Sequence, residues 1–364
     1  MKKYLSLILA LVLTFSLAAC GAKEEAPAAK EETKTEAPAA KPEAPAAKEE
    51  APEETPITIS IAHEALPGEG RDVACEEWKR LVEERSNGSI TFNLYNNEQL
   101  GAKGDLMEQI LMGEPIILNC DGSFLCEYGA PEIAIMSMPY VFDSWDQVAK
   151  LVESDWFAQQ EELLAAAGLH VVNATWALGE RQLVTTKPVT KLADMKGLKI
   201  RVPANNMSVL EFECFGATST PMPLSEVYSA VQQGIIDGQE NPIDYLYNAG
   251  YGEICDYVTL TGHVKMPVQW IMSEEVWQSL SPNQQKIITE AALEVGKIND
   301  EIALGSEAEY ADKFRADGVT VTVLDEATLQ EFKDAVVPLY SHPDIIGGWS
   351  NPNLYQEIRE SLAS

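Results

Sequence analysis

The run GLKIRVPANN, residues 197–206, sets one arginine, Arg201, inside a stretch that otherwise reads as a short buried strand. A guanidinium in such a place has two uses. It pairs with an Asp or Glu of its own chain, or it holds the planar carboxylate of a ligand through two parallel hydrogen bonds. Further on, IIDGQENP is a second apolar run ending in polar groups, with Asn241 just ahead of Pro242. Catalytic patterns are absent from the sequence: no GxSxG elbow, no HExxH, no P-loop and no EF-hand loop, and HEALP at His63 lacks the second histidine. The four histidines, His63, His170, His263 and His342, are not at ligand spacing with one another. His170 and His263 read as structural residues at strand edges. The chain therefore reads as a non-enzyme with no metal and no cofactor.

Composition points the same way. At 364 residues and 46% hydrophobic content the chain can bury large cores, and its length favours two domains. A formal net charge of −31 excludes nucleic acid as a partner, because phosphates require a positive surface. The N-terminus, MKKYLSLILALVLTFSLAAC, places two lysines before an apolar run that is shorter than the roughly 20 residues of a membrane-spanning helix. Residues 1–19 read as a signal peptide. Leu17-Ala18-Ala19-Cys20 followed by Gly21 resembles the lipobox of bacterial lipoproteins, so Cys20 is the expected lipidation site and the expected membrane anchor outside the cytoplasm. Residues 20–56 are almost wholly Ala, Lys, Glu and Pro after Cys20 and Gly21, which predicts a disordered charged tether. That tether has ten Glu against five Lys, so most of the acidity belongs to the residues beyond it. Cys75, Cys120, Cys126, Cys214 and Cys255 contain no CxxC pair; Cys120 and Cys126 are either a disulfide or two buried thiols.

From residue 57 strands and helices alternate. ITISIAH sets Ile57, Ile59 and Ile61 on one face, ITFNLY alternates again, and PIILNC is a continuous apolar run of buried-strand type. With the amphipathic stretches between them these form a βαβαβ opening. A second block holds ATWALGERQLVTT, LKIRVP, a helix from Ser225 to Gln233, IIDGQ and YVTLTGH. One long helix or two in tandem follow, entered at Ser281-Pro282, then a VTVTVL strand and an ATLQEFKDAVVPLY helix. The natural packing is two α/β lobes joined by crossing strands, with a ligand cleft between them.

GERQLVTTKPVTKLADMKGLKIRVP, GATSTPMPLSEVYSAVQQGIIDGQENP and YVTLTGH closely resemble the DctP-type solute receptors of tripartite ATP-independent periplasmic (TRAP) transporters. NNEQLGAKGDLMEQILMG and MPYVF match upstream, whereas the tail GGWSNPNLYQEIRESLAS does not. The resemblance implies a two-lobed periplasmic-binding-protein-like fold with a long C-terminal helix. Lobe I would comprise 57–178 plus 267–306, and lobe II 179–266 plus 307–364. It implies an extracytoplasmic receptor that closes on a small organic acid anion and delivers it to TRAP-type permease subunits. Arg201 would clamp the ligand carboxylate, Arg181 would approach the same ligand so that two cations concentrate positive potential, and Asn241 would hydrogen-bond it. For Asn241 a helix N-cap is the other reading. Asp121 would accept from a hydroxyl or ammonium, or form a strand-end turn with Gly122. Trp176 would wall the pocket or lie in the core, and His63 and Glu64 would face the cleft. Leu224 stands before SEVY where relatives often carry an aromatic, which argues against ring stacking there. Two other functions fit less closely, a receptor for a sensor protein and an extracytoplasmic hydrolase.

Cys20→Ala is expected to abolish incorporation of labelled fatty acid, because no other cysteine stands directly at the end of the signal sequence. Label persisting in the variant would refute the anchor.

Overall fold

The computed structural model describes residues 54–305 and 307–363. The signal peptide, Cys20 and the tether up to residue 53 lie outside the described residues. Three strands open the fold: β1 (Ile57–Ala62), β2 (Ile90–Tyr95) and β3 (Ile116–Cys120). They are parallel with β1 in the centre, and the helices Gly70–Arg85 and Lys103–Leu111 make the crossovers. Every residue of β3 is buried, as its unbroken apolar run predicts for a strand covered on both faces.

The chain then enters β4 (Leu169–Thr185), a strand of 17 residues that serves both lobes. A second group of parallel strands follows: β5 (Lys199–Val202), β6 (Thr218–Pro221) and β7 (Gly238–Pro242), with β5 between the other two. After β8 (Tyr257–Leu260), β9 (Lys265–Ser273) returns to the first lobe between β3 and β4, and β10 (Thr320–Val323) pairs with β8. From Leu169 to Glu180, β4 is antiparallel to β9; from Arg181 onward it is antiparallel to β7. Arg181 is thus the residue at which β4 changes partners.

Apolar cores fill both faces of each lobe. Ile59, Ile61, Trp78, Phe92, Trp176 and Trp270 pack beneath the helices Gly70–Arg85 and Pro282–Gly305. Ser281 Oγ accepts from Gln284 N at 3.1 Å while Gln284 Oε1 accepts from Ser281 N at 3.0 Å, a reciprocal cap that starts the long helix where Ser281-Pro282 predicts. Glu307–Ala316 continues in tandem on the second lobe, against the helix Ile243–Asn248.

Several expectations need correction. The helix expected from Ser225 begins as a 3-10 turn, Leu224–Glu226, and is helical over Val227–Gln232. The helix expected through Tyr340 ends at Ala335, and Pro338, which has no N–H to continue it, lies in the 3-10 turn Val337–Ser341. Residues 307–364 were expected with lobe II, yet Ile345, Trp349, Leu354, Ile358 and Leu362 bury themselves in the lobe I core. Glu132 fixes that tail, accepting from Ser350 N at 2.8 Å and Ser350 Oγ at 2.7 Å, and Trp349 Nε1 donates to Pro131 O at 2.9 Å. Cys120 and Cys126 are free thiols, as are Cys75, Cys214 and Cys255.

The tether also ends sooner than expected. Glu54 accepts from Ser89 Oγ at 2.9 Å, Ser281 Oγ at 2.6 Å and Asn283 Nδ2 at 3.0 Å, linking the chain entrance to the start of the long helix. Glu54→Ala is expected to lower unfolding free energy by about 1 kcal/mol, the net worth of exposed hydrogen bonds. Deleting residues 22–52 should leave the urea midpoint unchanged. Equal effects of the two changes would place the fold boundary elsewhere.

Candidate functional site

Parallel strands of an α/β sheet leave their ligand crevice at their carboxyl ends. Here β1, β3, β5 and β7 all end on one cavity that is open at its mouth. Glu64 lines it after β1, Asn119 and Asp121 at the end of β3, Arg201 and Pro203 at the end of β5, and Asn241 at the end of β7. Arg181 of β4 and Met266 of β9 add the crossing strands.

Arg201 is 4% exposed, and no carboxylate among the described residues lies within ion-pair distance of it. Its Nε and Nη2 both donate to the Met222 carbonyl, at 2.9 and 2.8 Å. Met222 is held for this by its own N–H, which donates to Val202 O at 3.2 Å. One edge of the guanidinium is therefore occupied by a neutral acceptor, and the end carrying Nη1 and the second Nη2 proton is the edge left for a fork. Burial lowers the Arg201 pKa; Glu240 nearby opposes that and the Arg181 charge adds to it.

Arg181 is different. It lies opposite Pro242, so Glu240, two residues away along β7, is its diagonal neighbour on the same face. Nε bonds Glu240 Oε2, and Nη2 reaches Oε1 at 2.8 Å and the Glu240 carbonyl at 3.1 Å. His263 Nε2 lies 3.2 Å from the same carboxylate, and Thr261 Oγ1 lies 2.7 Å from His263 Nδ1. Burial works against ionisation of Glu240, but Arg181 and His263 outweigh it and hold the carboxyl down to about 2. Two cations were expected to concentrate positive potential at the ligand, but Glu240 offsets the charge of Arg181, and of the two only Arg201 has no carboxylate partner among the described residues.

The other expected residues divide. Asn241 lines the cavity, and its Nδ2 donates to Gln239 Oε1 at 2.9 Å; the following helix has Pro242, not Asn241, at its N-cap. Asp121 accepts from Ser123 N at 3.0 Å as the cap of the short helix that follows, and it also lines the cavity. Glu64 pairs with Lys103 at 2.8 Å, and Lys103 also reaches Asp121 at 3.4 Å. Burial of Glu64 disfavours its charge, yet Lys103 prevails and holds the carboxyl at about 2. Leu224 lines the cavity, and Phe124 and Tyr245 supply rings from other elements.

Of the two readings of Trp176, pocket wall and core, the structure gives the core. The side chain is fully buried among Trp78 and Trp270, with Nε1 donating to Ala292 O at 2.9 Å, and does not border the cavity. His63 also misses the cavity: it is buried directly after β1, where desolvation lowers its pKa to about 4. Lys103, Arg71 and Glu240 were missed. A signal existed for the first two, since each places a cation in the first turn of a helix, where the macrodipole disfavours it. Among the described residues no group of three His, Cys, Asp or Glu side chains converges as metal ligands.

Glu240→Gln leaves Arg181 buried without its countercharge, and at pH 7 this is expected to lower stability by about 3–5 kcal/mol. The folded pKa of about 2 lies below the ordinary 4.5, so the stabilisation is complete above the latter and fades as pH falls toward the former. Urea melts of variant and unsubstituted protein should therefore converge as pH drops through that window. A gap that stays constant would refute the ionised pair.

Comparison with known proteins places this geometry. The family profile of bacterial extracellular solute-binding proteins, family 7, matches residues 61–343. The sialic acid-binding periplasmic protein SiaP of Vibrio cholerae is 32% identical over 285 residues, 78% of this chain and 85% of that protein. A TRAP periplasmic solute-binding protein from Actinobacillus succinogenes, solved with bound L-galactonate, superposes with a TM-score of 0.80 at 34% identity, covering 84% of this chain and 99% of that one. Another, from Ochrobacterium anthropi with bound L-fuconate, gives 0.79 at 35% identity over 85% and 100% of the two chains. A two-lobed sheet with its cavity at the strand ends and the matched motifs lining it are accounted for together: the chain belongs to the family 7 extracellular solute-binding proteins, the receptor components of TRAP transporters.

Proposed function

We propose that this receptor captures a polyhydroxylated organic acid by its carboxylate on Arg201 and delivers it to a TRAP-type permease, anchored outside the cytoplasm through lipid on Cys20. The observation that carries the reading is the buried guanidinium of Arg201, which has a backbone carbonyl on one edge and no carboxylate partner among the described residues. A bound carboxylate fills that role by pairing end-on. Asn241 and the paired Arg181 position the same group, the latter through its N–H direction more than its net charge. The lobe I wall alternates donors and acceptors, Lys103 beside Glu64, Asp121 and Asn119, which suits hydroxyls that both donate and accept. L-Galactonate and L-fuconate in the related structures have this chemistry.

Capture proceeds by closure of the lobes, because the ligand's contacts come from both. Hydrogen bonds already bridge the lobes near the mouth: Ser225 N donates to Glu98 Oε2 at 2.8 Å and Asn248 Nδ2 to Glu69 Oε1 at 3.2 Å. The function is binding without turnover.

Arg201→Lys keeps the charge but loses the fork, and is expected to weaken galactonate or fuconate binding about tenfold to a hundredfold, one charge-assisted hydrogen bond. Arg201→Ala should be worse. Neither breaks an ion pair, so the unligated protein should lose no more than the hydrogen bonds to the Met222 carbonyl are worth, about 1–3 kcal/mol. Calorimetric affinity near that of the unsubstituted protein, with loss of unligated stability, would overturn the assignment, and chemical conversion of the acid would overturn the receptor reading.

A further inference from the structure

A second buried guanidinium borders the cavity. Arg71, second residue of the helix Gly70–Arg85, is 8% exposed and enters from lobe I, whereas Arg201 enters from lobe II. No carboxylate among the described residues pairs with it, and its Nε is buried without a hydrogen-bond partner. The acids around it are committed elsewhere. Glu64 is held by Lys103 at 2.8 Å. Glu69 accepts from Leu66 N at 2.8 Å and from Asn248 at 3.2 Å, and burial, with Asp244 close by, pushes its carboxyl up to about 7. Asp244 likewise has its pKa raised by burial. Arg71 also sits at a helix N-terminus, where the partial positive charge of the backbone adds to its own. A cation in that position, unpaired and aimed into a ligand cavity, calls for an anion from outside the chain.

We propose that Arg71 binds a second anionic group of the solute, at the end away from the carboxylate on Arg201, so that the preferred cargo is a chain-like polyhydroxy acid charged at both ends. The inference rests on the organic-acid reading of the site. The second group is a carboxylate or a phosphate ester, since both accept from a guanidinium.

Two series of probes with matched skeletons test this calorimetrically: D-gluconate, D-glucarate and 6-phosphogluconate, and D-galactonate with galactarate. In at least one series a member charged at both ends is expected to bind at least about tenfold tighter than its aldonate, and the glucarate and phosphogluconate arms identify the second group. Arg71→Gln should erase that preference, and Arg71→Lys should restore part of it. Equal affinity of aldonates and acids charged at both ends would overturn the proposal while leaving the receptor reading intact. So would Arg71→Gln weakening all probes equally, or destabilising the unligated protein without changing the preference. Binding of none of the probes would overturn the polyhydroxy-acid reading and this inference with it.

Discussion

A guanidinium kept from water and from carboxylates is costly to bury, and the second lobe is arranged around one. Arg201 lies on the central strand of the parallel group β5, β6 and β7, so its backbone is fixed on both sides. The chain leaving β6 turns Met222 back onto β5, donating its N–H to Val202 and offering its carbonyl to Arg201. A neutral acceptor orients the side chain without cancelling its charge. Arg181 shows the opposite solution a short distance away, where Glu240 satisfies both geometry and charge. Among the described residues the cavity thus has one paired and one unpaired guanidinium on lobe II, with Arg71 a second unpaired one from lobe I.

What joins these groups is β4. Because the strand changes partners at Arg181, the site stands where the two lobes share backbone, and the register breaks just before it, between Ala177 and Gly179. Gly179 has φ +122°, a conformation a side chain would strain, and a Cβ there would sit 3.2 Å from the Pro242 ring. That close approach lets β7 meet β4 with Asn241 at the cavity edge. The glycine in ALGERQ is therefore as much part of the site's geometry as the arginine that follows it.

How far this could be read in advance depended on whether a local pattern determined the outcome. The alternation in ITISIA, the apolar run in PIILNC and the Ser-Pro start with Gln284 each carry their own reason for strand or helix, and the elements form there. Trp176 carried no such reason, because a strand tryptophan looks the same in sequence whether it meets a cavity or two other tryptophans; the helix packed over β4 decided. The tail was read with the wrong lobe because its apolar residues fit any core, and the Glu132 contacts that fix it come from more than two hundred residues away. Glu240 stood next to a residue already singled out, but an acid in a buried strand declares its partner only when the register is known.

The protein as a whole carries −31, yet the proposed cargo is an anion. The two facts act over different ranges. At physiological salt the charges of an exposed surface are screened within about 8 Å, so the acidic exterior imposes only a weak repulsion on an approaching solute. Inside the cavity screening is poorer, and an unpaired cation acts with more force than the distant sum of carboxylates. A field built from the whole surface would attract every anion alike. In the proposed binding mode selectivity comes from where the groups without a carboxylate partner among the described residues stand: Arg201 and Arg71 on opposite lobes set a separation as well as a sign, and the paired Arg181 and Lys103 contribute direction without adding to the net attraction.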